Sequence, residues 1–341
     1  MSRVVWLGGD QFQFDRETAL PPRPAGNEVV VRVRSVGICG TDIHILKGSF
    51  PLSKPPLVLG HEMAGEILAA GPDVTRVRQG DRVTVDQVIG CGQCAYCKRG
   101  SAQFCETGFE LGITRDGGCQ DFVLVPETNV YRVPDSISFD EAAVLDMEVF
   151  AALSKATVRP GEIVLVVGAG SAGLIAVQLA AALGASKVLV AEKRPGRLRK
   201  AREIATSSTV LYSEDEHFYS RLREETNGLG PDLVIDCAGT PESANLSLES
   251  VTPGGRVVLF GVHESLVAQF DINRIVLKDI IVYGALSDRR GWEEVIELAS
   301  KGQLRLEPLI THRFPMSRAP EAYELVRAED DGVVKAVLTL P

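Results

Sequence analysis

The sequence predicts an α/β chain, a β-rich first domain followed by a doubly wound parallel sheet. Three features carry that prediction. Short segments of alternating polarity fill the first third. The middle opens on a continuous apolar run that leads into a glycine-rich turn. Strands then alternate with helices to about residue 284.

Residues 28 to 36 read Glu-Val-Val-Val-Arg-Val-Arg-Ser-Val, alternating towards the end as a half-buried antiparallel strand does. Similar strands are expected near 64–70, 81–85 and 121–125, punctuated by Gly, Pro and Asp, a spacing that suits a partly open barrel. Ile163 to Val167 is apolar throughout, as in a strand buried on both faces of a parallel sheet, and Pro160-Gly161 introduces it. A helix should follow from about Ser171 to Leu183, stopped by Gly184. Lys187 to Ala191 is the next strand, and an Arg- and Lys-rich helix runs from Gly196 to Ile204. Later strands are expected at 209–213, 232–237, 256–260 and 280–284, giving βαβ units with right-handed crossovers. Trp292, Val295, Ile296 and Ala299 recur at helical spacing, and Val333 to Leu340 reads as a strand returning to the first domain.

A chain of 341 residues, 45% hydrophobic and 24% charged, has room for two ordinary globular domains. A net charge of -9 without a Lys/Arg run argues against nucleic-acid partners, which need a basic face. Met1 to Val5 lacks the apolar region of a signal peptide. The longest apolar run, Ala172 to Leu183, is interrupted by Gln178 and falls short of the about 20 residues that span a membrane. A cytoplasmic protein without membrane association is expected. In a reducing compartment its seven cysteines point to metal binding or chemistry rather than disulfides.

Gly168-Ala169-Gly170-Ser171-Ala172-Gly173 fits G-x-G-x-x-G in the context that gives the pattern meaning, after a buried strand and at the start of an apolar helix. The first glycine permits the turn, the second lets the backbone approach a pyrophosphate, and the third allows close helix–strand packing. The phosphate would meet the free N–H groups of a helix N-terminus. Glu192 ends the next strand, where a carboxylate can accept hydrogen bonds from the adenosine ribose hydroxyls and repel a 2′-phosphate. NAD is therefore favoured over NADP, although Lys193, Arg194 and Arg197 are cations that can instead hold that phosphate. A turn shaped for packing alone is the competing reading.

Cys91-x-x-Cys94-x-x-Cys97-x7-Cys105 offers four soft thiolates, which suit a closed tetrahedral Zn²⁺ that stabilises a loop and does no chemistry. Bacterial ferredoxins use a shorter last gap followed by proline, and neither is present here. Gly37-Ile38-Cys39-Gly40-Thr41-Asp42-Ile43-His44 and Gly60-His61-Glu62 carry further ligand-type side chains. Singly, Cys39 reads as a small core residue and His61 as a satisfied histidine. Together, a cysteine, a histidine and a carboxylate are the ligands of a catalytic zinc that keeps a position open for substrate.

With these fragments, with Asp236-Cys237-Ala238-Gly239 and with Thr311-His312-Arg313-Phe314, the chain resembles the zinc-dependent medium-chain dehydrogenase/reductase superfamily. It is especially similar to the L-threonine dehydrogenase and sorbitol (polyol) dehydrogenase branch, and the resemblance covers nearly the whole chain. It implies a GroES-like catalytic domain at 1–150 with a structural-zinc lobe at about 88–108, a Rossmann dinucleotide-binding domain at 151–288, and a segment at 289–341 that returns to the catalytic domain. The active site would lie in the cleft between the two domains. Two zinc ions are implied, one catalytic and one structural. Cys39 and His61 would be ligands of the catalytic ion, and Glu62 a ligand or one that exchanges with water. Asp146 stands where relatives carry a carboxylate or cysteine near the metal, but Met147 follows it where many have proline, and Glu148 is the nearby substitute.

The same resemblance implies hydride transfer between a secondary alcohol and NAD, giving a ketone. Zinc lowers the alcohol's pKa, and the cofactor accepts the hydride. Thr41 would exchange the proton and His44 pass it to solvent. Read alone, Thr41 is equally a turn residue and His44 a surface residue, and Asp42 orients a neighbour. Leu174 is placed near the pyrophosphate, Glu192 and Arg197 near the ribose, and Gly261, Val262, Ala285 and Leu286 beside the nicotinamide. The substrate would be a polar secondary alcohol such as a polyol, cyclitol, amino-cyclitol or amino alcohol, with Phe50, Phe109 and Glu148 as pocket candidates. Ser287 takes the place of an arginine usual in sorbitol-dehydrogenase relatives. A homodimer or homotetramer built through Rossmann edge strands is expected. The alternatives are a zinc-free reductase of the same superfamily and a non-catalytic dinucleotide-binding protein.

Overall fold

A computed structural model describes residues 2–16, 21–205, 208–262, 269–286, 289–328 and 332–341; Ser287 lies outside them. The chain forms two compact units. The first comprises Met1–Leu145, Asp288–Ser300 and Ile310–Pro341, and the second Asp146–Ser287 and Lys301–Leu309.

The spine of the first unit is the strand Glu28–Ile38. It pairs antiparallel with Glu62–Ala70 on one edge, and with Phe122–Pro126 and then Lys335–Thr339 on the other. Sequence alternation predicts one wet face, yet Val29, Val30 and Val31 are all buried. The alternation itself holds, since Val29, Val31 and Val33 share the first unit's core and Val30 does not; the second face is covered too, because the helix Phe139–Ala143 packs against this strand and Glu62–Ala70. Arg82–Val85 and Val130–Arg132 extend the sheet beyond Glu62–Ala70, and Ile310–Pro315 runs parallel to Lys335–Thr339. The hairpin Ser2–Gly8/Gln11–Arg16 and the strand Leu57–Val58 form a small separate sheet. The helix Gly40–Leu46 leaves the spine directly after Cys39. The carboxylate of Asp42 accepts the Cys39 N–H at 2.9 Å and closes the helix start.

The second unit is an all-parallel sheet in the order Thr209–Tyr212, Lys187–Glu192, Ile163–Val167, Leu233–Asp236, Arg256–Leu259, Ile281–Gly284. The reversal of strand order at Ile163–Val167 is the switch point at which such sheets bind ligands. The helix Ser171–Ala182 is apolar nearly all round because it is buried between that sheet and the helix Met147–Ala156. Met147–Ala156 is fixed at both ends. Asp146 Oδ1 accepts the N–H groups of Glu148 and Val149 at 3.0 and 3.2 Å. At the other end the buried Arg256 guanidinium donates to the carbonyls of Ala156 and Thr157 at 2.8 and 2.7 Å and pairs with Glu162. A cation against the last carbonyls suits the negative end of a helix.

Candidate metal centres and dinucleotide turn

Within the first unit the strand Glu28–Ile38 ends by delivering Cys39, and the antiparallel strand beside it begins with Glu62, paired opposite Gly37. That register brings a thiol, an imidazole and a carboxylate together: donor atoms of Cys39, His61 and Glu62 all lie within 4.8 Å of one another. Gly37 makes the room, since a Cβ there would meet Glu62 Oε2 at 2.1 Å. Behind His61 the loop of Gly112, Gly117 and Gly118 packs backbone to backbone. Gly118 donates to the Gly60 carbonyl at 2.7 Å, and a Cβ on Gly112 would lie 2.8 Å from the His61 nitrogen.

Asp42 is fully buried, with Oδ1 3.3 Å from His61 Nδ1. Burial alone lowers the His61 pKa, but the Asp42 carboxylate and then the Cys39 thiolate more than offset it, so the imidazole is held well above its ordinary value. The pocket is thus arranged to stabilise positive charge where these donors converge. The donor set of one sulfur, one nitrogen and one carboxylate fits a zinc ion with an open position. Thr41 Oγ1 lies 3.9 Å from Cys39 Sγ, and His44 is three residues further along the same short helix.

A second cluster, also in the first unit, draws together Cys91, Cys94, Cys97 and Cys105, again within 4.8 Å. Backbone N–H groups point at the sulfurs. Cys91 N–H donates to Cys105 Sγ at 3.3 Å and Cys94 N–H to Cys91 Sγ at 3.3 Å. The first of these draws the Cys105 thiol down to about 6, whereas burial pushes Cys97 up to about 11. A Cβ at Gly90 would strike Cys97 Sγ at 2.6 Å. Four sulfurs with no oxygen or nitrogen donor fit a closed tetrahedral zinc.

Asp146 and Glu148 belong to the second unit, Asp146 as the cap of Met147–Ala156 and Glu148 half-buried in its first turn. Phe50 and Phe109 pack half-buried against the first unit's core, with the Arg115 guanidinium 5.4 Å from the Phe109 ring centre. Sequence reasoning missed Lys335, whose ammonium lies 2.7 and 2.6 Å from the two oxygens of Glu62. The available signal was a lone lysine inside the apolar run Val333 to Leu340, since a buried lysine needs a partner.

In the second unit the remaining predicted residues gather at the carboxyl ends of parallel strands. Gly168 has φ +94°, and a Cβ on Gly173 would sit 1.9 Å from its carbonyl oxygen, so helix and turn touch only because both are glycine. Gly170 starts the helix, Leu174 is buried beneath it, and Arg197 Nη1 lies 3.4 Å from the position a Gly170 Cβ would take. Glu192 closes its strand with only 5% exposure. Gly261 and Val262 follow Arg256–Leu259, and Ala285 and Leu286 follow Ile281–Gly284.

Residues 25–135 match the alcohol dehydrogenase GroES-like domain family, and residues 172–301 the zinc-binding dehydrogenase family. The chain belongs to the zinc-binding alcohol dehydrogenases. This dehydrogenase is 35% identical over 326 residues to an L-threonine 3-dehydrogenase of Pyrococcus abyssi, with 93% of each chain covered. It is 33% identical over 321 residues to an L-galactonate-5-dehydrogenase of Escherichia coli, again with 93% of each covered. Among solved structures, a short chain alcohol dehydrogenase of E. coli CFT073 complexed with NADH superposes with a TM-score of 0.88 at 31% identity, covering 100% of this chain and 99% of that one. The dehydrogenase is thus an enzyme of the zinc-dependent medium-chain class, with a GroES-like and a Rossmann-type domain, that moves hydride between an alcohol and a nicotinamide cofactor.

Proposed function

We propose that the enzyme interconverts a polar secondary alcohol and its ketone, using NAD. The substrate would be a polyol, cyclitol, amino-cyclitol or amino alcohol. The observation that carries this reading is the convergence of Cys39, His61 and Glu62 beside a buried Asp42. When bound, zinc supplies the Lewis acidity that lowers the pKa of an alcohol, and NAD supplies the hydride acceptor.

Cys39 and His61 are the residues to hold that ion. Asp42 against Nδ1 fixes the ring and leaves Nε2 as the donor. Glu62, shared with Lys335, is a ligand that exchanges with water. Asp146, with Glu148 as its substitute, completes the ligand set by resemblance to the family. Thr41, placed at the thiol, takes the substrate proton. His44, one turn along the same helix, hands it to solvent. Gly168, Gly170, Gly173 and Leu174 hold the pyrophosphate, Glu192 and Arg197 the adenosine ribose, and Gly261, Val262, Ala285 and Leu286 the nicotinamide. Phe50, Phe109 and Glu148 line the substrate pocket. Cys91, Cys94, Cys97 and Cys105 hold the structural zinc.

The domains run 1–150, 151–288 and 289–341 in this reading, whereas the compact units put 146–150 and 301–309 with the second. A homodimer or homotetramer is supported by the edge strand Ile281–Gly284. It exposes Ile281 and Val282, beside a helix whose Ile272, Val276 and Leu277 are also exposed. A cytoplasmic setting is part of this reading. No described helix is long and apolar enough to cross a membrane. The test is cofactor reduction across a panel of polyols, cyclitols and amino alcohols with NAD and NADP in parallel, alongside metal analysis. Two zinc ions per chain and turnover on at least one panel member are expected. A chain that carries one zinc and turns over none of them would overturn the reading.

A further inference from the structure

Glu192 is read above as the residue that meets the adenosine ribose, but its carboxylate is already engaged. Oε2 accepts the N–H of Ala169, inside the glycine-rich turn, at 2.8 Å. Oε1 accepts the N–H groups of Lys193 and Arg194 at 2.7 and 2.8 Å. A carboxylate has about four acceptor positions, so the backbone takes most of them. The two oxygens face different stretches of chain. One reaches the turn after Ile163–Val167, the other holds the turn after Lys187–Glu192, and Ala169 is fully buried.

From this geometry we infer that Glu192 is a positioning residue that buckles the pyrophosphate-binding turn to the neighbouring strand, so that the charge excluding NADP is built into the fold. The inference rests on the NAD reading above and deepens it. Here a glutamine would keep one acceptor oxygen for Lys193 and Arg194 and turn an NH₂ group towards the Ala169 N–H, donor against donor. The substitution would relieve repulsion of a 2′-phosphate and loosen the turn that holds the rest of the cofactor. Hydrogen bonds to an ionised acceptor are the stronger kind, and this one carries three.

The test separates ribose recognition from turn positioning. NADH, NADPH and an NADH analogue lacking both adenosine ribose hydroxyls are titrated into the wild-type enzyme, Glu192→Gln and Glu192→Asp, with nicotinamide fluorescence as readout. A residue that acts only on the hydroxyls leaves analogue binding untouched. The buckle predicts that Glu192→Gln weakens the analogue by about tenfold or more and gains no affinity for NADPH. Glu192→Asp keeps the charge but is too short to reach both turns, so it also weakens the analogue. It serves where Glu192→Gln does not fold. Analogue affinity unchanged in both folded variants, or NADPH tightened in Glu192→Gln, overturns the buckle. A wild-type enzyme that does not bind NADH overturns the NAD reading itself, and the inference with it.

Discussion

The two groups of metal-type donors in the first unit both include cysteine and are built differently. Cys91, Cys94, Cys97 and Cys105 come from one short stretch, present sulfur only and lie near the surface, with Cys91 exposed. Their charge is balanced locally, by backbone N–H groups aimed at the sulfurs. Cys39, His61 and Glu62 come from two strands brought into register. Their donors are mixed, and two of them have a buried charged partner behind them: Asp42 for His61 and Lys335 for Glu62. The difference teaches that donors close in sequence need only a loop to gather them, whereas donors from two distant segments need the register of the sheet. The carboxylates beside the imidazole and at Glu62 each meet a buried partner, His61 and Lys335.

The comparison breaks first at Cys39. Cys39→Ser is expected to lower kcat by about a thousandfold, the several kcal/mol that a Lewis acid supplies, while Tm moves little. Normal turnover in that variant would remove the catalytic assignment. Asp42→Asn should cost about 10–100-fold in affinity for the ion at this centre, read by competition with a chelator, and leave the four-sulfur cluster loaded. Equal loss at both centres would mean that Asp42 acts on the fold and not on the imidazole. Cys97→Ser should have the opposite profile: zinc content falls from two per chain to one and the lobe becomes open to protease, while kcat per folded molecule stays within about threefold.

The smallest effect sharpens the contrast from outside both clusters. Glu127 accepts the N–H groups of Arg76 and Thr75 at 2.7 and 2.9 Å, and the Arg76 N–H chiefly holds its carboxyl below the ordinary range. A depressed folded pKa gives stability that is present above the unfolded value of about 4.3 and is lost as pH falls through the folded value. Glu127→Gln should therefore cost about 1 kcal/mol or less at neutral pH, a deficit that closes on acidification, in urea titrations at several pH values. A deficit that widens in acid would contradict the bond.

Much of the fold was legible because it depends on local pattern. Ile163–Val167 and the strands near 187, 233 and 256 fall where apolar runs place them, since a strand covered on both faces has few polar positions to confuse the reading; the edge strand Ile281–Gly284 shows the same apolar run although it is largely exposed. The glycine motif was equally local. What was less legible depended on register. Val29, Val30 and Val31 are all buried because both faces of Glu28–Ile38 are covered, which the alternation of one strand does not reveal. The helix Gly40–Leu46 is only seven residues long, too short to show a period. Ligand types at the first centre were visible as residues, but the Lys335–Glu62 pair spans 273 positions and leaves no sequence signal beyond one charge in an apolar strand. Glu192 was recognised by its spacing from the turn, while its three backbone bonds were not, because side-chain reach is not written in spacing.

The pairing of Lys335 with Glu62 also has a bearing on biogenesis. During synthesis the strand that starts at Glu62 is made long before Lys335–Thr339, so a nascent chain holds an acidic group facing a thiol and an imidazole with no counter-ion of its own. Only when the late strand slots in does the lysine compete for that carboxylate. The charge balance of the Cys39–His61–Glu62 group is therefore complete only once the last strand of the first unit is in place.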